Sequence, residues 1–342
     1  MKRAAILCFA VGLLTSILSC NKVESPAPAP PSAPKIFRDR VGNAADLAVT
    51  PAEIAAAKAR LAGGLVGLIP CTLANEYHAA AAAAAQKKFA EYGLKAQTVD
   101  PETKSERQIS AIENLTAAGA KAIAICVLDP RVLQSALAEA STQGVLLVQF
   151  AGWESAFNGV GISIEDAELG RAAGEFAAKL IQTELGGKAQ VAILDYPDLP
   201  NAVVRADAME QALREQAPGA ELVGRFLGGT QENGLRSLEA ALQAHPDLNV
   251  VVSINDAGAY GAVSALAAAG KSESAAIVVG IDAERNALAQ IKAGGMFRGT
   301  VDTQPAKTGE LAAAAVVKLL AGSEVPAQVK VPVRVITRAE LP

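Results

Sequence analysis

From about residue 60 onward, short apolar runs alternate with longer amphipathic stretches. Leu65–Ile69, Ala120–Leu128, Val145–Phe150, Gln190–Leu194, Val250–Ile254 and Ala276–Ile281 are apolar throughout and often β-branched. Each reads as a strand buried on both faces. Ala96–Val99, ended by Asp100-Pro101, is a weaker strand. The intervening stretches read as helices that stop at breakers: Ser105–Ala118 at Gly119, Arg131–Thr142 at Gly144 and Ile164–Leu185 at Gly186-Gly187. Leu235–Ala244 stops at His245-Pro246, and Ala257–Ala269 at Gly270. Strand and helix in alternation predict an α/β fold with parallel sheets covered by helices on both faces. The pattern runs twice, on either side of Gly161, and Gly159-Val160-Gly161 reads as a hinge. Two Rossmann-like lobes with a cleft between them therefore fit better than the alternative, a single six-strand sheet.

The stretch Gly64–Ala96 sets the frame. Its strand ends at Pro70, a polar loop runs from Cys71 to His78, and an alanine-rich helix closes near Gly93. In open α/β sheets ligands collect beyond the carboxyl ends of strands, which is where Asn75, Glu76, Tyr77 and His78 fall.

Composition narrows the function. The chain has 342 residues, 51% hydrophobic, 19% charged and 4% aromatic, enough for a sizeable core. A net charge of -4 and the lack of any basic stripe argue against nucleic acid as a partner.

The N-terminus reads as a targeting segment. Lys2 and Arg3 precede the apolar run Ala4–Leu18, which is short for a membrane span. Ile17-Leu18-Ser19-Cys20 resembles the lipobox of bacterial lipoproteins, which implies cleavage before Cys20 and its lipidation. An ordinary secretory signal cut elsewhere is the alternative. Residues 1–20 are thus assigned to a signal peptide. Residues 21–59 are assigned to a Pro/Ala-rich tether and lead-in, since Asn21–Pro34 cannot bury a core. Of the cysteines outside this leader, Cys71 and Cys126 fall at or just past the ends of two candidate neighbouring strands. Two buried free thiols are the expectation, with a disulfide as the alternative. With only His78 and His245 and no C-x-x-C spacing, no zinc site is expected.

Several motifs, taken together and in order, carry a family resemblance: Ile69–Tyr77, Gln108–Ala122, Val203–Met209, Val250–Tyr260 and Val278–Asp282. They resemble the type I periplasmic binding proteins of the ribose- and galactose-binding kind, the extracytoplasmic receptors of ABC importers. The same fold forms the effector domain of LacI-type repressors, but here an export signal stands where a DNA-binding motif would be. The resemblance covers nearly all of residues 60–338. It implies an N-lobe of 60–160 plus 304–328 and a C-lobe of 161–303 plus 329–342, joined by a three-strand hinge.

By this resemblance the ligand-binding residues are Asn75, Tyr77, His78, Trp153, Arg205, Asn255, Asp282 and Thr303. Asn255 offers a donor and an acceptor at a strand end. Asp256, next to it, is expected to cap the following helix. Asp282 presents a carboxylate that accepts from two hydroxyls, with helix capping as its other duty. Arg205 brings a fixed fork of donors to a helix start, where the helix dipole disfavours a cation. Tyr77 supplies a flat face for stacking, and His78 is a rim hydrogen-bonder or a ligand. Ala151-Gly152 stand where ribose-like members carry an Asp-Arg pair. The N-lobe side is therefore expected to lack charge, with Trp153 as a replacement stacking surface or a core residue. Thr303 occupies the column of the family's glutamine.

No enzymatic motif is assembled. Gly270-Lys271-Ser272 lies at a helix end and lacks the first P-loop glycine, and there is no G-x-S-x-G. The expectation is a monomeric, lipid-anchored solute receptor without a cofactor. It would bind a small sugar or polyol in an uncharged cleft and deliver it to an ABC permease. A sensory receptor serving a chemoreceptor or histidine kinase, and a receptor for a non-sugar molecule, are the alternatives.

Overall fold

The computed structural model describes residues 1, 34–151 and 159–341. Among them no helix is long and apolar enough to cross a membrane. The signal peptide with Cys20, most of the proline-rich tether, and Trp153 lie outside the described residues.

The strands form two sheets, which excludes the single-sheet alternative. The first holds β1 (Lys35–Asn43), β2 (Leu65–Ile69), β3 (Ala96–Thr98), β4 (Ala120–Ile125), β5 (Leu146–Phe150), β6 (Val160–Ser163) and β12 (Glu324–Lys330), in the order β1-β12-β6-β5-β4-β2-β3. The second holds β7 (Gln190–Asp195), β8 (Glu221–Leu227), β9 (Leu248–Ser253), β10 (Ile277–Ile281), β11 (Phe297–Asp302) and β13 (Arg334–Thr337), in the order β13-β11-β10-β9-β7-β8. Every pairing is parallel except β11 with β13.

Helices cover both faces of each sheet. In the first lobe α1 (Pro51–Leu61), α2 (Glu76–Glu91) and α10 (Pro305–Ala321) close one core, while α3 (Ser105–Ala117) and α4 (Pro130–Thr142) close the other. Around the second sheet α5 (Asp166–Glu184) and α6 (Pro200–Gln216) pack on one face. α7 (Gln231–Ala244), α8 (Asp256–Ala268) and α9 (Arg285–Ala293) pack on the other. The alanine run of α2 is what lets it lie close against α10, with Ala81, Ala82 and Ala85 all buried. Glu53 of α1 joins Lys318 of α10 at 2.9 Å in a largely buried ion pair.

The chain crosses between lobes in three described segments: between β6 and α5, between β11 and α10, and between β12 and β13. Gly159–Gly161, read as a hinge, is instead the lead into β6, and the crossing follows it. Gly161 lies within β6, between β5 and β12, where it pairs with Gln149 and Gln328.

Two expectations are corrected. Residues 35–59, assigned to the tether and lead-in, build β1, a 3-10 turn over Ala44–Leu47 and most of α1, all part of the first lobe. β1 is mostly exposed at a sheet edge, so it carries no apolar run that would mark it in the sequence. Cys71 and Cys126 are not free thiols: they form a disulfide, with their Cα atoms 5.1 Å apart. The cause is register. β2 and β4 are adjacent and parallel with Ile69 opposite Ile125, so the residues just beyond both strands emerge side by side.

Candidate functional site

The segments that follow β2, β5, β6, β7, β10 and β11, the starts of α2, α5, α6, α9 and α10, and residues of β13 surround a cavity of about 1240 Å³ between the lobes. Asn75, Tyr77, His78, Arg205, Asp282 and Thr303 all line it. Its walls are also built by unusual backbone. Ala151, Asp282, Ala283 and Gln304 line the cavity and have positive φ angles of 58°, 125°, 55° and 47°. Such conformations cost about 1–3 kcal/mol each and concentrate at ligand sites. At Asp282 the turn is held by its N–H donating to the Val301 carbonyl (2.9 Å) and by the Ala283 N–H donating to Thr300 Oγ1 (3.1 Å).

Arg205 is the electrostatic centre. Its Nε donates to Asp166 Oδ1 at 2.6 Å, its Nη1 donates to the Ile254 carbonyl at 3.1 Å, and Asp282 Oδ1 lies 3.9 Å from Nη1. The mismatch of a cation near a helix start is thus resolved by two carboxylates, which outweigh the dipole. Gly170 makes this possible: a Cβ there would lie 2.1 Å from the Arg205 carbonyl oxygen, so α5 and α6 approach only because the residue is glycine.

Behind the wall lies an acidic cluster. Asp256 is fully buried, accepts from Thr300 Oγ1 (2.7 Å) and from the Glu284 N–H (2.9 Å), and presses against Gly280, where any side chain would collide with its Oδ1. Burial first, and then the neighbouring Asp282 charge, push its carboxyl up to about 8. Burial also raises Asp282 to about 7, against the pull of Arg205. Tyr260 donates to Glu284 Oε2 at 2.8 Å.

In the first lobe Asn75 caps α2, its Oδ1 accepting from the His78 N–H at 3.2 Å. Tyr77 donates to Thr308 Oγ1 at 3.4 Å and meets the His78 ring edge-on at 5.2 Å between centroids. Burial raises the Tyr77 phenol pKa and lowers that of the His78 ring. Thr303 Oγ1 donates to the Asp282 carbonyl at 3.4 Å.

Three readings change. Asn255 is not among the described lining residues: its Oδ1 caps α8 by accepting from the Gly258 N–H (3.0 Å), and its Nδ2 donates to the Gly229 carbonyl (2.9 Å). The cap expected of Asp256 therefore belongs to Asn255, because the carboxylate turns inward to Thr300. Nor is the cleft uncharged. Glu76, Lys307 and Glu310 line it from the first lobe, and Asp166, Glu284 and Arg334 from the second. Asp166 carries no signal of its own in the sequence, since only the tertiary fold brings it to Arg205.

The family model for the periplasmic binding protein domain matches residues 66–324. The ribose import binding protein of Bacillus subtilis (strain 168) is 29% identical over 282 residues, covering 80% of this chain and 87% of that protein. A D-apiose import binding protein of Actinobacillus succinogenes is 28% identical over 245 residues, covering 71% of this chain and 77% of its own length. Two solved structures share the fold. A periplasmic ribose ABC transporter protein from Conexibacter woesei DSM 14684 has a TM-score of 0.72 at 21% identity, covering 82% of this chain and 93% of its own. A periplasmic solute binding protein from Actinobacillus succinogenes 130z with bound D-allose has a TM-score of 0.69 at 23% identity, covering 81% and 98%. The matched span begins in β2 and ends at the first residue of β12, taking in most of both lobes and of the cavity between them: the chain belongs to the periplasmic binding protein family.

Proposed function

We propose that this chain is the extracytoplasmic receptor of an ABC importer, a binding protein and not an enzyme, and that its ligand is a monosaccharide or small polyol. The observation that carries this reading is the cavity between two lobes, with Arg205 and Asp282 on one wall and Asn75 and Tyr77 on the other. A sugar ring presents hydroxyls around its edge and an apolar face. Arg205 and the Asn75 amide offer donors to the hydroxyls, and Asp282, poised near neutrality, both accepts and donates. Tyr77 supplies a flat surface for the ring. The relatives named above carry ribose and apiose in their names, which supports the same ligand class here.

The cavity exceeds the roughly 300–1,000 Å³ usual for a small-molecule site, which fits an open form that closes around its ligand. Closure about the crossings is favoured to the extent that the ligand binds the closed form more tightly. The closed form then docks on a permease. Cys20 as a lipidated mature N-terminus would hold the receptor at the membrane, and the receptor acts as a monomer.

Thermal shift and calorimetry across pentoses, hexoses, polyols, nucleosides and small carboxylates test the ligand class. A sugar or polyol is expected to stabilise the chain in proportion to RT ln(1 + [L]/Kd). Response to a carboxylate or nucleoside alone would overturn it. Mass spectrometry of the mature N-terminus tests acylation at Cys20.

A further inference from the structure

Cys71, His78 and Cys126 meet at the first-lobe wall of the cavity, with their metal-ligating atoms all within 4.8 Å of one another. Cys71 follows β2, Cys126 follows β4, and His78 stands in the first turn of α2. Both sulfurs belong to buried residues, Cys71 7% and Cys126 1% exposed. A second feature is independent of the disulfide. His78 Nδ1 is buried and has no hydrogen-bond partner among the described residues. An unsatisfied ring nitrogen beside two sulfurs is unusual in a plain cross-link, since buried polar atoms almost always find partners.

We propose that reduction of the Cys71–Cys126 disulfide converts this group into a zinc site of two thiolates and one imidazole. A dithiol reductant delivers two electrons and two protons, the S–S bond breaks, and the reductant leaves as its own disulfide. Zinc then displaces the two thiol protons and is held by both sulfurs and a His78 ring nitrogen, with water at the fourth position. Tetrahedral zinc keeps such ligand atoms about 3.3–3.8 Å apart, so a set already within 4.8 Å reaches that geometry by small side-chain rotations. In an oxidising compartment the disulfide is the resting state, and the site opens only under reducing conditions. His78 also lines the cavity, so the metal would fix the wall that the ligand meets.

The test uses the full chain, oxidised or reduced with a non-chelating phosphine that is then removed. Zinc is titrated against a chromophoric chelator, and cobalt is substituted to read the thiolate charge-transfer band. One zinc per reduced chain and none per oxidised chain is expected. His78→Ala should bind at least about tenfold more weakly, as loss of a ligand implies. The Cys71→Ser/Cys126→Ser variant should bind none. Because reduction also loosens the fold, zinc should raise the Tm of the reduced chain and leave that of the oxidised chain unchanged. Equal uptake by both redox forms, equal affinity in His78→Ala, or a reduced chain whose Tm zinc does not move would each overturn the proposal.

Discussion

Glu76 Oε1 lies 3.0 Å from Arg285 Nε, and the two residues belong to opposite lobes. The pair sits in solvent, with the Arg285 side chain 87% exposed. Such pairs are worth about 0–1 kcal/mol and are screened by salt. Arg285→Gln is therefore expected to change ligand affinity by no more than about fivefold at low ionic strength. The difference should vanish at high salt. Calorimetry at two ionic strengths checks this, and a large, salt-independent loss would mean that Arg285 touches the ligand.

Arg205 joins α6 to Asp166 of α5 and faces Asp282, so its exact position matters more than its charge. Arg205→Lys keeps the charge but lacks the fork. It should lower sugar affinity at least about tenfold, since a charge-assisted hydrogen bond contributes about 1.5–3 kcal/mol. Gly170→Ala, which touches no ligand, should act through the same residue by pushing on the Arg205 backbone. It is expected to cost about 1–3 kcal/mol of stability and to weaken binding as well. Denaturant titration beside calorimetry separates the two effects; unchanged affinity would show that α6 yields without moving the guanidinium.

Asp256 and Asp282 set a pH dependence. Both carboxyls lie above their ordinary 3.8 in the folded chain, at about 8 and about 7. Between those limits the folded chain holds protons that the unfolded chain has released, so stability falls as pH rises from about 4 to about 8. Glu53, lowered to about 2, acts with the opposite sign, but only below its ordinary 4.5. Asp256→Asn keeps an acceptor for the Glu284 N–H and offers its amide to the Thr300 hydroxyl. The variant should have a flatter profile and a higher Tm than the wild type near pH 8. Identical slopes in the two chains would remove Asp256 as the cause.

Much of the fold was legible because strands buried on both faces are continuous apolar runs. β2, β4, β5, β7, β9 and β10 stand within two or three residues of where hydrophobicity put them. β8, β12 and β13 were not legible, since none is a continuous buried run and β12 contains Pro326. β11 was missed for another reason: Arg298 and Gly299 interrupt its apolar run, although most of it is buried. At the site, loop position brought out Asn75 and Tyr77, and the family resemblance brought out Arg205 and Asp282. What could not be read was which polar group each side chain faces. Asn255 and Asp256 are neighbours of similar chemistry; Asn255 takes the cap expected of Asp256 while Asp256 turns into the core, because the deciding partners, Gly229 and Thr300, are remote in sequence.

β1 is held by β12, with Lys35 opposite Glu324, and α10 closes the core above β2, β4 and β5. A nascent chain that ends before residue 305 therefore lacks the helix that buries Leu311, Val316 and Leu320, and β1 has no neighbour to pair with. The second lobe waits in turn for β13 to cover β11. Each lobe thus completes its core or its sheet with residues from beyond position 304. Contacts this distant in sequence slow folding.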